Sequence, residues 1–220
     1  MTEIVRHGKS AGPEALDIDA GEREAFVGAM HVVARKLAPA IVAATRPGDA
    51  KRLLDIGGAM GTYTQAFLEA SPGMTATLFD LPPVIGAARR RLATTGLLDR
   101  IELVAGDFYK DELPAGHDLA LLSAIIHQNS PEQNLALYGK VHRALVPGGR
   151  LVIRDHVMSA DHTQPLRGAF FAVNMLVVTE GGSTYSFDEI RSSLEAAGFV
   201  AVKLIQPDEQ MNGLVEAFKP

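Results

Sequence analysis

The stretch LLDIGGAMGTYTQAFLEA, Leu53 to Ala70, carries an apolar run into a helical pattern through a turn that holds Gly57, Gly58 and Gly61. Glycines at a strand-to-helix turn let the backbone come close to a ligand, and open α/β sheets bind at the carboxyl ends of their strands. The pattern predicts a strand over Arg52 to Gly57 and a helix from Thr62 onward. A glycine turn by itself also serves plain packing, so its meaning rests on what surrounds it.

Four more apolar runs follow it: TATLFD (75–80), IELVAG (101–106), DLALLSAII (118–126) and GRLVIRDHV (149–157). They are continuously apolar rather than alternating, which points to strands covered on both faces, and helix-length amphipathic stretches separate them. The class is α/β, with a mostly parallel sheet and helices on both faces. Ser130-Pro131-Glu132-Gln133 supplies an N-cap, a proline at the first helical position and a reciprocal cap, opening a helix expected to reach about Val146. Ser186 with Glu189 repeats the device for a helix ending at Gly198, after which FVAVKLIQ and LVEAFK read as a terminal hairpin. Ahead of the sheet, residues 22–45 form one long helix or two broken at Pro39. One domain is expected over 21–220, with a helical lead-in at 21–50, and residues 1–20 are expected to be loosely ordered.

Successive strand ends offer polar groups to a single crevice. Asp80 closes its run about twenty residues past the glycine turn, where an acid can accept hydrogen bonds from ribose hydroxyls. The third run is followed by Asp107 and Phe108, an acid and an aromatic suited to a base. His127 follows the fourth run at the same edge, and an imidazole with a pKa near 6.5 suits proton removal near neutrality. It competes with the plainer role of a histidine bonded to backbone at a strand end.

Composition removes several classes. A chain of 220 residues with 47% hydrophobic and 21% charged residues is not disordered. A net charge of −5 leaves no electrostatic footprint for nucleic acid. The absence of cysteine excludes a disulfide scaffold, a thiolate metal site and a cysteine nucleophile, and a cytoplasmic location is expected. No run approaches the ~18 apolar residues of a membrane span, and the opening MTEIVRHGKS lacks a signal-peptide core, so no membrane partner is expected.

The elements DIGGAMG (55–61), FDLPPVI (79–85), GDFY (106–109), the His127 segment and LVPGGRLVIRD (145–155), in this order, resemble the catalytic domain of S-adenosylmethionine-dependent O-methyltransferases of the plant caffeate and bacterial polyketide or hydroxyindole type. The resemblance covers about residues 26–219 and implies a Rossmann-like class I methyltransferase fold, seven strands with an antiparallel terminal strand. It implies that Asp55, Gly57, Gly58, Gly61, Asp80, Leu81, Asp107, Phe108 and Ser123 hold S-adenosylmethionine or its product S-adenosylhomocysteine. Ala59 stands where the family usually has a third glycine, and Gln128-Asn129 where it has Asp-Trp.

By the same resemblance His127 is the general base, and Asp155 is the acid that orients it. The family's second acid falls at Thr184, which suggests a single-acid variant. Phe26 and Met30 on the leading helix, and Phe170, Asn174 and Met175 in the apolar stretch 167–182, match positions lining the acceptor pocket; Met and Phe at helical spacing also mark ordinary core. The acceptor is then a small, planar, apolar hydroxyl compound, and no metal is expected. The family dimerises through an N-terminal winged-helix domain that this sequence lacks, so a homodimer by that route is not expected. Other readings stay open: a nicotinamide-dependent dehydrogenase, against which FDLPP and GDFY speak; a non-catalytic adenosyl-ligand domain; and a family member turned to hydroxylation or decarboxylation.

Overall fold

Neighbouring residues along each central strand face opposite layers, and both layers are covered. Leu54, Ile56, Ala120, Leu122, Leu151 and Ile153 pack with Tyr138, Val141, Ile190 and Leu194 on one side. Leu53, Leu78, Leu119, Leu121 and Val152 meet Ala38, Ile41, Phe67 and Leu92 on the other. This two-sided burial is why the strands read as unbroken apolar runs. The computed structural model describes residues 20–220, with side chains from Ala25 onward, so the expectation of a loose segment at 1–20 lies almost wholly outside the described residues.

The order is α1 (Ala20–Thr45), β1 (Arg52–Ile56), α2 (Thr62–Ala70), β2 (Thr75–Asp80), α3 (Pro82–Leu92), β3 (Ile101–Ala105), β4 (His117–Ser123), α4 (Pro131–Ala144), β5 (Leu145–Asp155), β6 (Val157–Met158), α5 (Leu166–Val178), β7 (Tyr185–Ser186), α6 (Phe187–Ala196), β8 (Val200–Gln206) and β9 (Gly213–Phe218). Seven strands form one sheet in the order β3-β2-β1-β4-β5-β9-β8, while β6 and β7 make a separate parallel pair. Strand β9 runs antiparallel to both neighbours, and the other pairings in the large sheet are parallel. The order reverses at β1 and β4, and that switch point brings the glycine turn, the end of β4 and the end of β5 together.

Both expected capping boxes are present: Ser130 with Gln133 at α4 and Ser186 with Glu189 at α6. Pro39 does not break α1; it lies on the exposed side, where water can satisfy the carbonyl freed one turn earlier. The fourth strand stops at Ser123 rather than Ile126. Ala124 takes a left-handed conformation (φ 58°), and Ile125 and Ile126 turn inward, 7% and 1% exposed, leading into a 3-10 turn over Ile126–Gln128. Strand β5 starts at Leu145 and α4 ends one residue earlier, because the Gly148-Gly149 segment pairs with the chain end through Gly148 N to Lys219 O at 2.9 Å and Lys219 N to Gly149 O at 2.8 Å. Part of α1, Ala25–Thr45, is long and apolar enough to cross a membrane by length and composition. Arg35 and Lys36 interrupt it, and Ala38, Ile41 and Val42 are buried against the sheet.

Candidate active site

The glycine turn is built around a buried acid. Asp55, at the end of β1 and 1% exposed, accepts from the Thr64 hydroxyl at 2.6 Å and from the Thr64 N–H at 3.2 Å. Burial pushes its carboxyl up to about 6, against the two Thr64 bonds that oppose the shift. A Cβ at Gly58 would lie 2.8 Å from that carboxyl carbon, and Gly57 adopts φ +66°, so glycine is needed at both. Asp55 therefore supports the turn from beneath. Gly61 caps α2, and the Thr62 hydroxyl lies 2.8 Å from Nδ1 of His31, which ties α1 to the turn.

Asp80 stands at the end of β2 with two backbone N–H groups on its carboxylate, Ala59 at 2.8 Å and Leu81 at 2.7 Å. Burial raises its pKa and these two bonds oppose that. Leu81 thus contributes its backbone and introduces α3. Beyond β3, Asp107 accepts from the Tyr109 N–H at 2.9 Å and pairs with Lys110 at 3.0 Å. Phe108 lies beside Gly57 and Ile125, and Lys140 of α4 donates to the Phe108 carbonyl at 2.8 Å. Ser123 closes β4 at the same crevice.

This set fits an adenosyl sulfonium ligand on two observations. A close-approach glycine turn forms the floor, and two acids and an aromatic line one arm. No group of three His, Asp or Glu side chains is gathered as for a metal among the described residues.

His127 sits on the 3-10 turn after β4, with its Nδ1 2.9 and 3.1 Å from the two oxygens of Asp155 at the end of β5. Asp155 is fully buried; desolvation alone would raise its pKa, but the His127 contacts, the His156 N–H and Arg154 outweigh it and hold it below the usual carboxylate range. An ionised carboxylate only accepts, so Nδ1 carries the hydrogen and Nε2 keeps the basic lone pair. Phe171 of α5 stands edge-on to the His127 ring at 4.9 Å. A Cβ at Gly182 would fall 2.5 Å from the His127 carbonyl oxygen, so the Gly181-Gly182 pair packs directly beneath the His127 segment. Thr184 is buried, and its hydroxyl donates to the Gly168 carbonyl at 3.4 Å.

The acceptor-pocket residues divide. Phe170 and Asn174 line a cavity of about 420 Å³ together with Phe171, His156, Arg167, Gln210 and Met211. Met175 is 6% exposed and packs inward, and Phe26 and Met30 lie exposed on α1 at 57% and 42%, away from this cavity's lining. Sequence reasoning missed Phe171 and a second buried pair, His156 Nδ1 to Asp208 Oδ2 at 2.6 Å. No local pattern marks Asp208, because the loop between β8 and β9 brings it to His156 from 52 residues away. Asn129 has a role that the sequence did not mark. It is fully buried and joins the Tyr109 hydroxyl, the Asn134 side chain and the Tyr185 hydroxyl, so it holds the His127 segment from behind.

A family model described as an O-methyltransferase domain matches residues 7–200. The chain is 31% identical over 209 residues to a 3-hydroxy-5-methyl-1-naphthoate 3-O-methyltransferase of Streptomyces sahachiroi, covering 94% of this chain and 60% of that protein. It is 34% identical over 155 residues to the acetylserotonin O-methyltransferase of Rattus norvegicus, covering 70% of this chain and 35% of that one. Among solved structures, the mitomycin 7-O-methyltransferase MmcR superposes with a TM-score of 0.89 at 29% identity, over 100% of this chain and 66% of that chain. PigF with SAH gives 0.87 at 27%, over 99% and 68%. The chain thus spans well under the full length of these relatives.

Proposed function

The chain belongs to the O-methyltransferase domain family, and we propose on that premise that it moves a methyl group from S-adenosylmethionine to a hydroxyl of a small aromatic or polyketide-like acceptor, with His127 as general base. The observation that carries the reading is the His127–Asp155 pair at the carboxyl edge of the sheet, beside the glycine turn. Bound S-adenosylmethionine supplies an electrophilic methyl on a sulfonium. The residues of this chain align and deprotonate. Asp80 receives the ribose hydroxyls, Asp107 and Phe108 take the adenine, and the turn at Gly57 and Gly58 admits the sulfonium end.

Asp155 keeps the imidazole in the tautomer whose Nε2 accepts the acceptor's hydroxyl proton, and its negative charge stabilises the imidazolium that results. Phe171, Phe170 and the cavity beside them exclude water and suit a planar ring. Relatives named for naphthoate and acetylserotonin substrates support an aromatic acceptor. Calorimetric titration with S-adenosylmethionine, S-adenosylhomocysteine and NADH tests the donor, and product analysis with hydroxynaphthoate and other phenolic acceptors tests the transfer. Micromolar adenosyl binding with none for NADH, together with an O-methylated product, is expected. Absence of adenosyl binding overturns the reading.

A further inference from the structure

The chain carries a second buried imidazole–carboxylate pair that the proton transfer at His127 does not use. His156 follows Asp155 at the end of β5 and is 5% exposed, and its Nδ1 lies 2.6 Å from Oδ2 of Asp208, whose side chain is fully buried. The loop between β8 and β9 is built to present that acid. Oδ1 of Asp208 accepts from the Asn212 N–H at 2.9 Å, and the Asn212 side chain in turn accepts from the Glu209 and Gln210 N–H groups at 2.9 and 3.3 Å. With both its oxygens accepting, Asp208 meets an N–H at Nδ1, which leaves the imidazole lone pair on Nε2. Nε2 has no hydrogen-bond partner among the described residues, yet it is not closed off from water, and the ring lines the cavity of about 420 Å³ beside α5.

A lone pair held at a cavity wall by a buried acid calls for a donor from inside the cavity, since a polar group is best taken from water into a hydrogen bond. The walls say what carries that donor. Phe170 and Phe171 of α5 supply flat apolar surface and Met211 of the loop a pliable one, which together suit an aromatic ring. Met211 holds φ 57°, a left-handed conformation that an L residue keeps only where its surroundings enforce it. One ring links this wall to the base: Phe171 lies 4.9 Å from His127 and 5.1 Å from His156 between ring centres. An acceptor packed on Phe171 is therefore within reach of both imidazoles. We propose that the acceptor is an arenediol: one hydroxyl gives its proton to His127 and is methylated, while a second, elsewhere on the ring system, donates a hydrogen bond to Nε2 of His156. The proposal rests on the reading of His127 as the base. It makes His156 a specificity residue and Asp208 the group that fixes its tautomer.

The test measures O-methylation of three acceptors: naphthol, a naphthalenediol with one hydroxyl on each ring, and the monomethyl ether of that diol. The wild-type chain is expected to favour the diol over naphthol in kcat/KM by about three- to ten-fold, the scale of one hydrogen bond, beyond the statistical doubling from two equivalent hydroxyls. The ether, which cannot donate at its far end, should behave like naphthol. His156→Phe keeps an apolar ring and is expected to leave only the statistical doubling. In Asp208→Asn the Asn212 N–H keeps the amide oxygen, so the amide N–H faces Nδ1 and the imidazole hydrogen moves to Nε2. That nitrogen then donates, and the ether-to-naphthol ratio is expected to rise by about three- to ten-fold. This milder variant decides the matter if His156→Phe does not fold. A wild-type chain without preference for the diol, or a preference that survives His156→Phe, overturns the arenediol site. So do equal losses on all three acceptors in Asp208→Asn, the mark of a pair that only pins the loop. Methylation of none of the three by a chain that binds S-adenosylhomocysteine overturns the arenediol site and leaves the donor reading standing. Absence of adenosyl binding overturns the donor reading itself, and that result is visible before any variant is made.

Discussion

Asp155 holds His127 through both carboxylate oxygens, 2.9 and 3.1 Å from Nδ1, although the two residues are 28 apart in sequence. The contact joins the end of β5 to the turn after β4 and fixes which imidazole nitrogen is basic. In Asp155→Asn the side chain can present an N–H to Nδ1, which favours the tautomer with its hydrogen on Nε2 and removes the base. Turnover is expected to fall by about 10²- to 10⁴-fold, with S-adenosylhomocysteine affinity unchanged within a few-fold. Turnover retained within a factor of three would show that the pair is structural.

His127→Ala should cost about as much as Asp155→Asn, and the double variant should be no slower than His127→Ala alone. In the proposed reaction Asp155 acts only through the imidazole, so the losses of a single working unit do not add. Additive losses in kcat across the three variants would give Asp155 a separate role.

Ala59 is a non-glycine residue at φ 49° whose N–H donates to Asp80. An L side chain there costs about 1–2 kcal/mol, and glycine would remove that strain at an unfolded-state cost of about 0.4–1 kcal/mol. Ala59→Gly is therefore expected to raise stability in urea unfolding by up to about 1 kcal/mol and to leave S-adenosylhomocysteine binding intact. Destabilisation by that much would mean that the methyl group packs usefully.

Features carried by local chemistry were legible in the sequence. Glycine spacing, capping boxes and apolar run length marked the turn, α4, α6 and β2, whose bounds at Thr75–Asp80 match the expectation. His127 was legible because it stands at the end of an apolar run, and Asp155 through the family resemblance. The end of β4 was not, because Ile125 and Ile126 are as apolar in a buried turn as in a strand, and only the left-handed Ala124 separates the two. The inward turn of Met175 and the exposure of Phe26 follow from helix rotation, which an almost uniformly apolar stretch does not encode. Pairs such as His156 with Asp208, and the stacking of Arg154 over Tyr63, depend on which loops and layers meet in three dimensions.

Asn129 carries a structural load at the position where the family has tryptophan. Its side chain accepts from Tyr109 at 2.5 Å and donates to Asn134 at 2.9 Å, while its carbonyl accepts from Tyr185. In Asn129→Ala the Asn134 side chain loses its partner in a buried setting and the Tyr109 hydroxyl loses its partner in a part-buried one. A stability loss of about 2 kcal/mol is expected from leaving such groups unsatisfied. A loss below about 0.5 kcal/mol in denaturant titration would show that water replaces the side chain without penalty.

Asp55 gives the fold a pH dependence with a defined sign. Its carboxyl is raised from 3.8 to about 6 in the folded chain, chiefly by burial, so the folded state binds the proton more tightly than the unfolded one. Its contribution to stability is full below about pH 4 and is lost as pH rises through about 6, a swing of about 3 kcal/mol at about 1.4 kcal/mol per unit. Asp55→Asn keeps an oxygen for the Thr64 hydroxyl and removes the ionisation. Relative to wild type, the variant should gain on the order of 2–3 kcal/mol between pH 4.5 and pH 7.5 in urea unfolding. Asp155 has the opposite sign, since its lowered pKa makes its contribution fail only as pH drops below the usual carboxylate range, so the two windows do not overlap. A wild-type-minus-variant difference that stays flat across pH 4.5 to 7.5 would mean that Asp55 ionises as easily under the turn as it does in water.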